Sequence, residues 1–168
     1  MRTLGQLSGL AVIGEGSGEK LGRIHDILFD PKSGQITAFL IHPGGLLAKP
    51  RVLPRLFVRT LGTDALLVEP GNVLEDSKAE PAVPGSLSVL SLGGRPVLDD
   101  TGKYLGKFDD VVVDESTLTV TTLQISAGLI ENTLHGKPSV LLSVVKAIGP
   151  DSIVVPATAE AAPASANP

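Results

Sequence analysis

LGRIHDILFDPKSGQITAFLI, residues 21–41, reads as strand, tight turn and strand, and this reading decides the fold. Ile24–Phe29 and Ile36–Ile41 are rich in strand formers. Between them Asp30-Pro31-Lys32-Ser33-Gly34 gathers turn residues: Asp bonds its own downstream backbone, Pro presets φ, and Gly permits a left-handed corner. Leu105–Ile125, LGKFDDVVVDESTLTVTTLQI, matches the stretch without a gap at an offset of 84 residues. The chain is therefore an internal duplication.

Outward from the hairpins, each copy repeats the same smaller pieces. Leu7–Ile13 enters as a short strand, and Gly14-Glu15-Gly16-Ser17-Gly18 turns it back. That loop lacks the Lys-Ser/Thr of a phosphate loop, and its counterpart Asp99-Asp100-Thr101-Gly102 has no glycine pattern. After each hairpin, Arg51-Val52-Leu53 is matched with Ser139-Val140-Leu141 and Arg55-Leu56-Phe57 with Ser143-Val144-Val145. Gly62-Thr63-Asp64 and Gly149-Pro150-Asp151 mark closing hairpins. Short strands and tight turns without a long helix predict an all-β chain, two small antiparallel β-barrels in tandem. The expected units are residues 1–76, a linker at 77–86, a second lobe at 87–156 and an Ala/Pro tail at 157–168 without structure.

The 168 residues are 42% hydrophobic yet contain no Trp, one Tyr and four Phe, so Val, Leu and Ile must fill the cores. Lobes this small bury little surface, which predicts packing on each other or on a second copy. Net charge is −4, with residues 1–76 neutral and 77–168 carrying the excess, so no global pull toward nucleic acid exists. The absence of Cys excludes disulfides and thiolate chemistry. No apolar run reaches the roughly 18 residues of a membrane helix, and Met1–Gly9 lacks signal-peptide character; a cytoplasmic protein without an integral membrane segment is expected.

Leu21-Gly22-Arg23, the Asp30–Gly34 turn, Val52-Leu53-Pro54 and Gly62-Thr63-Asp64 together resemble the PRC-barrel family, with Leu105-Gly106-Lys107 and Gly149-Pro150-Asp151 matching in the second copy. The second turn, Asp114–Leu118, departs by losing Pro and Gly. The family includes the photosynthetic reaction centre H subunit, a ribosome maturation factor and stand-alone prokaryotic proteins, and the resemblance implies interaction modules more than chemistry.

The residues themselves agree. His25, His42 and His135 have no metal-ligand spacing. Asp26/Asp30 and Asp110/Asp114 recur at i, i+4, about 13 Å apart on a strand and too far for a glycosidase pair. They are read as structural, with Asp30 and Asp114 opening turns and Asp26 and Asp110 satisfying backbone or a cation. No catalytic, cofactor-binding or metal residue is expected. On the second hairpin strand, Thr37, Phe39 and Ile41 match Thr121, Leu123 and Ile125 and should face inward. The other face is apolar in copy one, Ile36, Ala38 and Leu40, where copy two has Val120, Thr122 and Gln124. It is either a wider core or a protein-docking face. Lys49, Arg51, Arg55 and Arg59 form a basic run, either a solvated edge or a contact for an acidic protein or RNA backbone. The expected function is a non-enzymatic, self-associating protein–protein adaptor, or alternatively a ribosome- or RNA-associated factor.

Overall fold

The computed structural model describes residues 1–71, 73–76, 83–126, 137–157 and 162–163. The first copy runs β1 (Arg2–Thr3), α1 (Leu4–Leu7), β2 (Ala11–Gly14), β3 (Lys20–Phe29), β4 (Ile36–His42), β5 (Arg51–Pro54), β6 (Val58–Leu61), β7 (Ala65–Val68) and β8 (Glu75–Asp76). The second runs β9 (Leu87–Ser88), α2 (Val89–Leu92), β10 (Pro96–Asp99), β11 (Tyr104–Asp114), β12 (Thr119–Ser126), β13 (Pro138–Leu141), β14 (Ala147–Ile148), β15 (Ile153–Val155) and β16 (Ala162–Pro163). The entry expected as a strand at Leu7–Ile13 is split: Leu7 ends the single helical turn α1, and extension begins at Ala11.

Two curled sheets result, ordered β6-β7-β2-β3-β4-β5-β8 and β14-β15-β10-β11-β12-β13-β16. Pairing is antiparallel except β2 with β7 and β10 with β15, which are parallel. The parallel pairs bring the hairpin β6–β7 back beside β2 and β14–β15 back beside β10, curling each sheet over its aliphatic core. Of the tail expected to lack structure, Ala162–Pro163 instead pairs with β13.

Each copy begins on the other copy's sheet. β1 pairs with β11 (Arg2 opposite Val113), and β9 pairs with β3 (Phe29 opposite Leu87). Where the hairpins meet, the Ile36 N–H donates to the Leu118 carbonyl (2.9 Å) and the Val120 N–H to the Gly34 carbonyl (2.7 Å). These are the same positions at the 84-residue offset, so the copies are related by a pseudo-two-fold. One continuous core joins them, from Leu4 and Leu7 through Phe29, Phe39 and Leu53 to Val111, Leu123 and Val155. The small lobes thus meet their burial requirement inside a single chain.

Register corrects two sequence readings. Leu53 pairs with Phe39, and Val140 with Leu123; Leu53 therefore corresponds to Val140, an offset of 87, one residue from the expected match. A bulge between Leu28 and Phe29 turns Ile36 inward, and one between Val112 and Val113 does so for Val120, because a single extra residue switches the facing side. Thr37 and Thr121 are left half-buried, their hydroxyls donating to the Leu28 and Val112 carbonyls (3.3 Å each). A threonine in an otherwise apolar row has that job.

Glycines mark the closest approaches. Gly22 (φ +153°) and Gly106 (φ +140°) hold β3 and β11 so near β4 and β12 that an added Cβ would lie 2.5 Å from the His42 oxygen or 2.6 Å from that of Ser126. This explains the Leu-Gly-basic repeat. Gly34 (φ +76°) corresponds to Leu118, which takes the left-handed conformation (φ +51°) despite its side chain. The second turn therefore keeps its shape after losing glycine. Gly106→Ala should lower stability by about 3 kcal/mol in chemical denaturation, from backbone strain and collision with a strand.

Candidate functional site

The apolar triplet is not an open face. Ile36 and Ala38 are fully buried and Leu40 is half-buried. Ile36 belongs to the shared core, while Ala38 forms a satellite cluster with Leu28 and Val52, against which Leu40 and Val83 pack. Val83 lies on the connecting segment, and its neighbour Ser86 hydrogen-bonds Thr37 (2.8 Å). The described end of the connection, Val83 to Ser86, therefore lies on this side of the first sheet. The register equates Leu28, Ala38, Leu40 and Val52 with Val112, Thr122, Gln124 and Ser139, a set that is half-buried. Ile36 and Ala38 are therefore not part of an exposed surface.

The basic run is dispersed among internal partners. Arg55 stitches the hairpins together: it donates to the Thr117 carbonyl (2.8 Å), the Ile36 carbonyl (3.2 Å), the Leu118 carbonyl (3.3 Å) and the Gln35 side chain. Arg51 donates to the Leu74 carbonyl (2.8 Å) and lies 3.6 Å from Asp76. Arg59 pairs with Glu69 (3.0 Å) and Glu15 (3.9 Å). Lys49 alone of the four makes no hydrogen bond or ion pair among the described residues and stands exposed on the β4–β5 loop. An anion-binding face built from all four is not assembled.

The recurrent aspartates have structural work. Asp30 and Asp114 accept from the N–H groups of Lys32 (2.8 Å) and Ser116 (2.9 Å) and so open their turns. Asp26 and Asp110 cap the opposite copy. Asp110 accepts from the N–H of Leu4 (3.1 Å) and Gly5 (3.0 Å) at the start of α1. Asp26 accepts from the Leu90 N–H (3.2 Å) in α2, the Ser88 hydroxyl and its neighbour Ile27 N–H (2.7 Å). Burial pushes the Asp26 carboxyl above its ordinary range, more than these donors lower it. The sequence showed the repeat of these acids but not that the backbone they satisfy lies in the other copy.

His25 and His42 have ring centroids 6.4 Å apart, and His135 lies outside the described residues. Among the described residues no three His, Asp or Glu side chains converge as metal ligands. His25 and its counterpart Asp109 line a cleft of about 190 Å³ between α1 and α2, where Asp109 is bound to Lys137 (2.5 Å). No helix among the described residues is long and apolar enough to cross a membrane.

The PRC-barrel domain model matches twice, over residues 1–74 and 85–162. The chain belongs to the PRC-barrel family and carries two such domains in tandem. No curated protein matches it.

Asp26→Asn keeps an acceptor for both backbone donors and removes a carboxylate that burial disfavours. The raised folded-state pKa means that wild-type stability from this group is full below its unfolded value and is lost as pH rises through the folded one. In urea titrations the variant should equal or exceed wild type at pH 7, and its relative advantage should shrink toward pH 4. Asp26→Ala should cost about 1–3 kcal/mol by stranding buried donors. Arg55→Ala, which frees carbonyls from both hairpins, should cost about 2 kcal/mol or more in the same assay.

Proposed function

We propose that the chain is a non-enzymatic adaptor that presents the outside of a welded pair of barrels to a protein partner. PRC-barrel domains occur in protein-interaction modules, and this is the coarse ground for the reading. The observation that carries it further is the placement of large aliphatics outside the core. Leu56, on the 3-10 turn after β5, is 72% exposed, and Leu141, at the end of β13, is 58% exposed. Both stand on elements next to the turns at which the hairpins meet, and exposed aliphatic surface is the kind that a protein partner covers. Self-association would use the same residues; the buried Ile36 and Ala38 are not part of the reading.

Quantitative mass spectrometry of proteins retained from native lysate tests it, with wild type compared with Leu56→Asp/Leu141→Asp. A retained protein that falls about tenfold with the variant, or a multimeric mass by light scattering that the variant reduces, supports the adaptor. A monomeric wild type that retains nothing above control rejects it.

A further inference from the structure

The most exposed apolar side chains lie elsewhere, on the loop His42–Pro50 between β4 and β5. Leu46 and Leu47 are 104% and 97% exposed, as open as in an extended peptide. The loop is pinned at its base, where the Gly44 N–H donates to His42 Nδ1 (3.1 Å) and the Ala48 N–H to the Gly45 carbonyl (3.3 Å). Gly44 (φ +100°) and Gly45 (φ +94°) supply the left-handed corner that sends the leucines outward. Neither leucine packs on the core, so folding gains nothing from their being apolar.

The nearest unpaired charges among the described residues are cationic. The loop itself carries Lys49 and no acid, while Arg51 at its exit is offset by Asp76 on β8. Lys49 follows Leu47 by two positions and is exposed. Exposed Arg23 stands opposite His42 at the loop's base. The net charge of −4 is carried by residues 77–168, while residues 1–76 are neutral. Two aliphatics at a protruding tip with cations behind them match the layering of an anionic bilayer, acyl chains beneath phosphates. A specific protein interface needs a broader patch, roughly 800 Å² per partner, than two side chains at a loop tip supply.

We propose that the His42–Pro50 loop is a reversible anchor to anionic membrane surfaces. Leu46 and Leu47 enter the acyl boundary while Lys49 and Arg23 meet lipid phosphates. The proposal is independent of the adaptor reading, because it uses neither Leu56 nor Leu141.

Vesicle flotation with the full chain tests it, using phosphatidylcholine alone or with about 30% phosphatidylglycerol in about 50 mM salt. Wild type should float with the anionic vesicles at least about tenfold more than with the neutral ones. Leu46→Ser/Leu47→Ser should reduce the bound fraction about tenfold without changing the melting temperature, since the leucines touch nothing in the fold. Lys49→Glu should reduce it several-fold and flatten its salt dependence. Failure of wild type to float with anionic vesicles overturns the proposal, as does binding that survives the double serine substitution. A solution mass that falls with that substitution also overturns it, by identifying a second copy of the chain as the occupant.

Discussion

Two buried or half-buried carboxylates, Asp26 and Asp110, each accept hydrogen bonds from the start of a helical turn that belongs to the other copy. The rest of the structure depends on this crossed arrangement. A helical turn of four residues cannot satisfy its own leading N–H groups, and a strand of two residues cannot stay paired alone. Fixed by a carboxylate and laid along the partner hairpin, each starting segment seals the core it borders: Leu4, Leu7, Val89 and Leu92 are all buried there. The shared core and the Arg55 stitch follow from the same geometry, which leaves the two barrels no independent interiors.

The duplication, the hairpins and the barrel class could be read from residues 21–41 and 105–125 because strand formers and turn chemistry are local signals. The crossed starts could not. Nothing in Arg2-Thr3 or Leu87-Ser88 says whether its partner lies in its own copy or in the other, 111 residues ahead for Arg2 and 58 residues back for Leu87, since pairing at long separation leaves no mark in a single sequence. The facing of Ile36 stays open in the sequence for a narrower reason. Alternation predicts sides only while the ladder is regular, and the bulge beside Phe29 shifts the count by one.

The basic run is dispersed among internal partners for a physical reason that composition hides. Arginine's planar fork suits backbone carbonyls as well as phosphates, and here Arg55 donates to three carbonyls and Arg51 to one. The copy comparison shows how such a role arises. Arg55 occupies the place that Leu142 holds in the second copy, and each lies against the opposite copy's turn, Leu142 beside Gly34 and Arg55 beside Leu118. A carbonyl cluster is bridged by charge on one side and packed by an aliphatic on the other. The two halves have diverged while keeping one backbone plan.

The reciprocal starting strands also bear on how such a molecule could come to exist. A polypeptide with one repeat would leave its hairpin edge and its capping aspartate bare, and the filler that fits both is the leading segment of a second identical molecule. Joining two repeats end to end replaces that encounter with an intramolecular one, whose effective concentration is set by the connector and not by how much protein the cell makes. Assembly then survives dilution, and each half becomes free to drift from symmetry, as Leu118 and Arg55 have done.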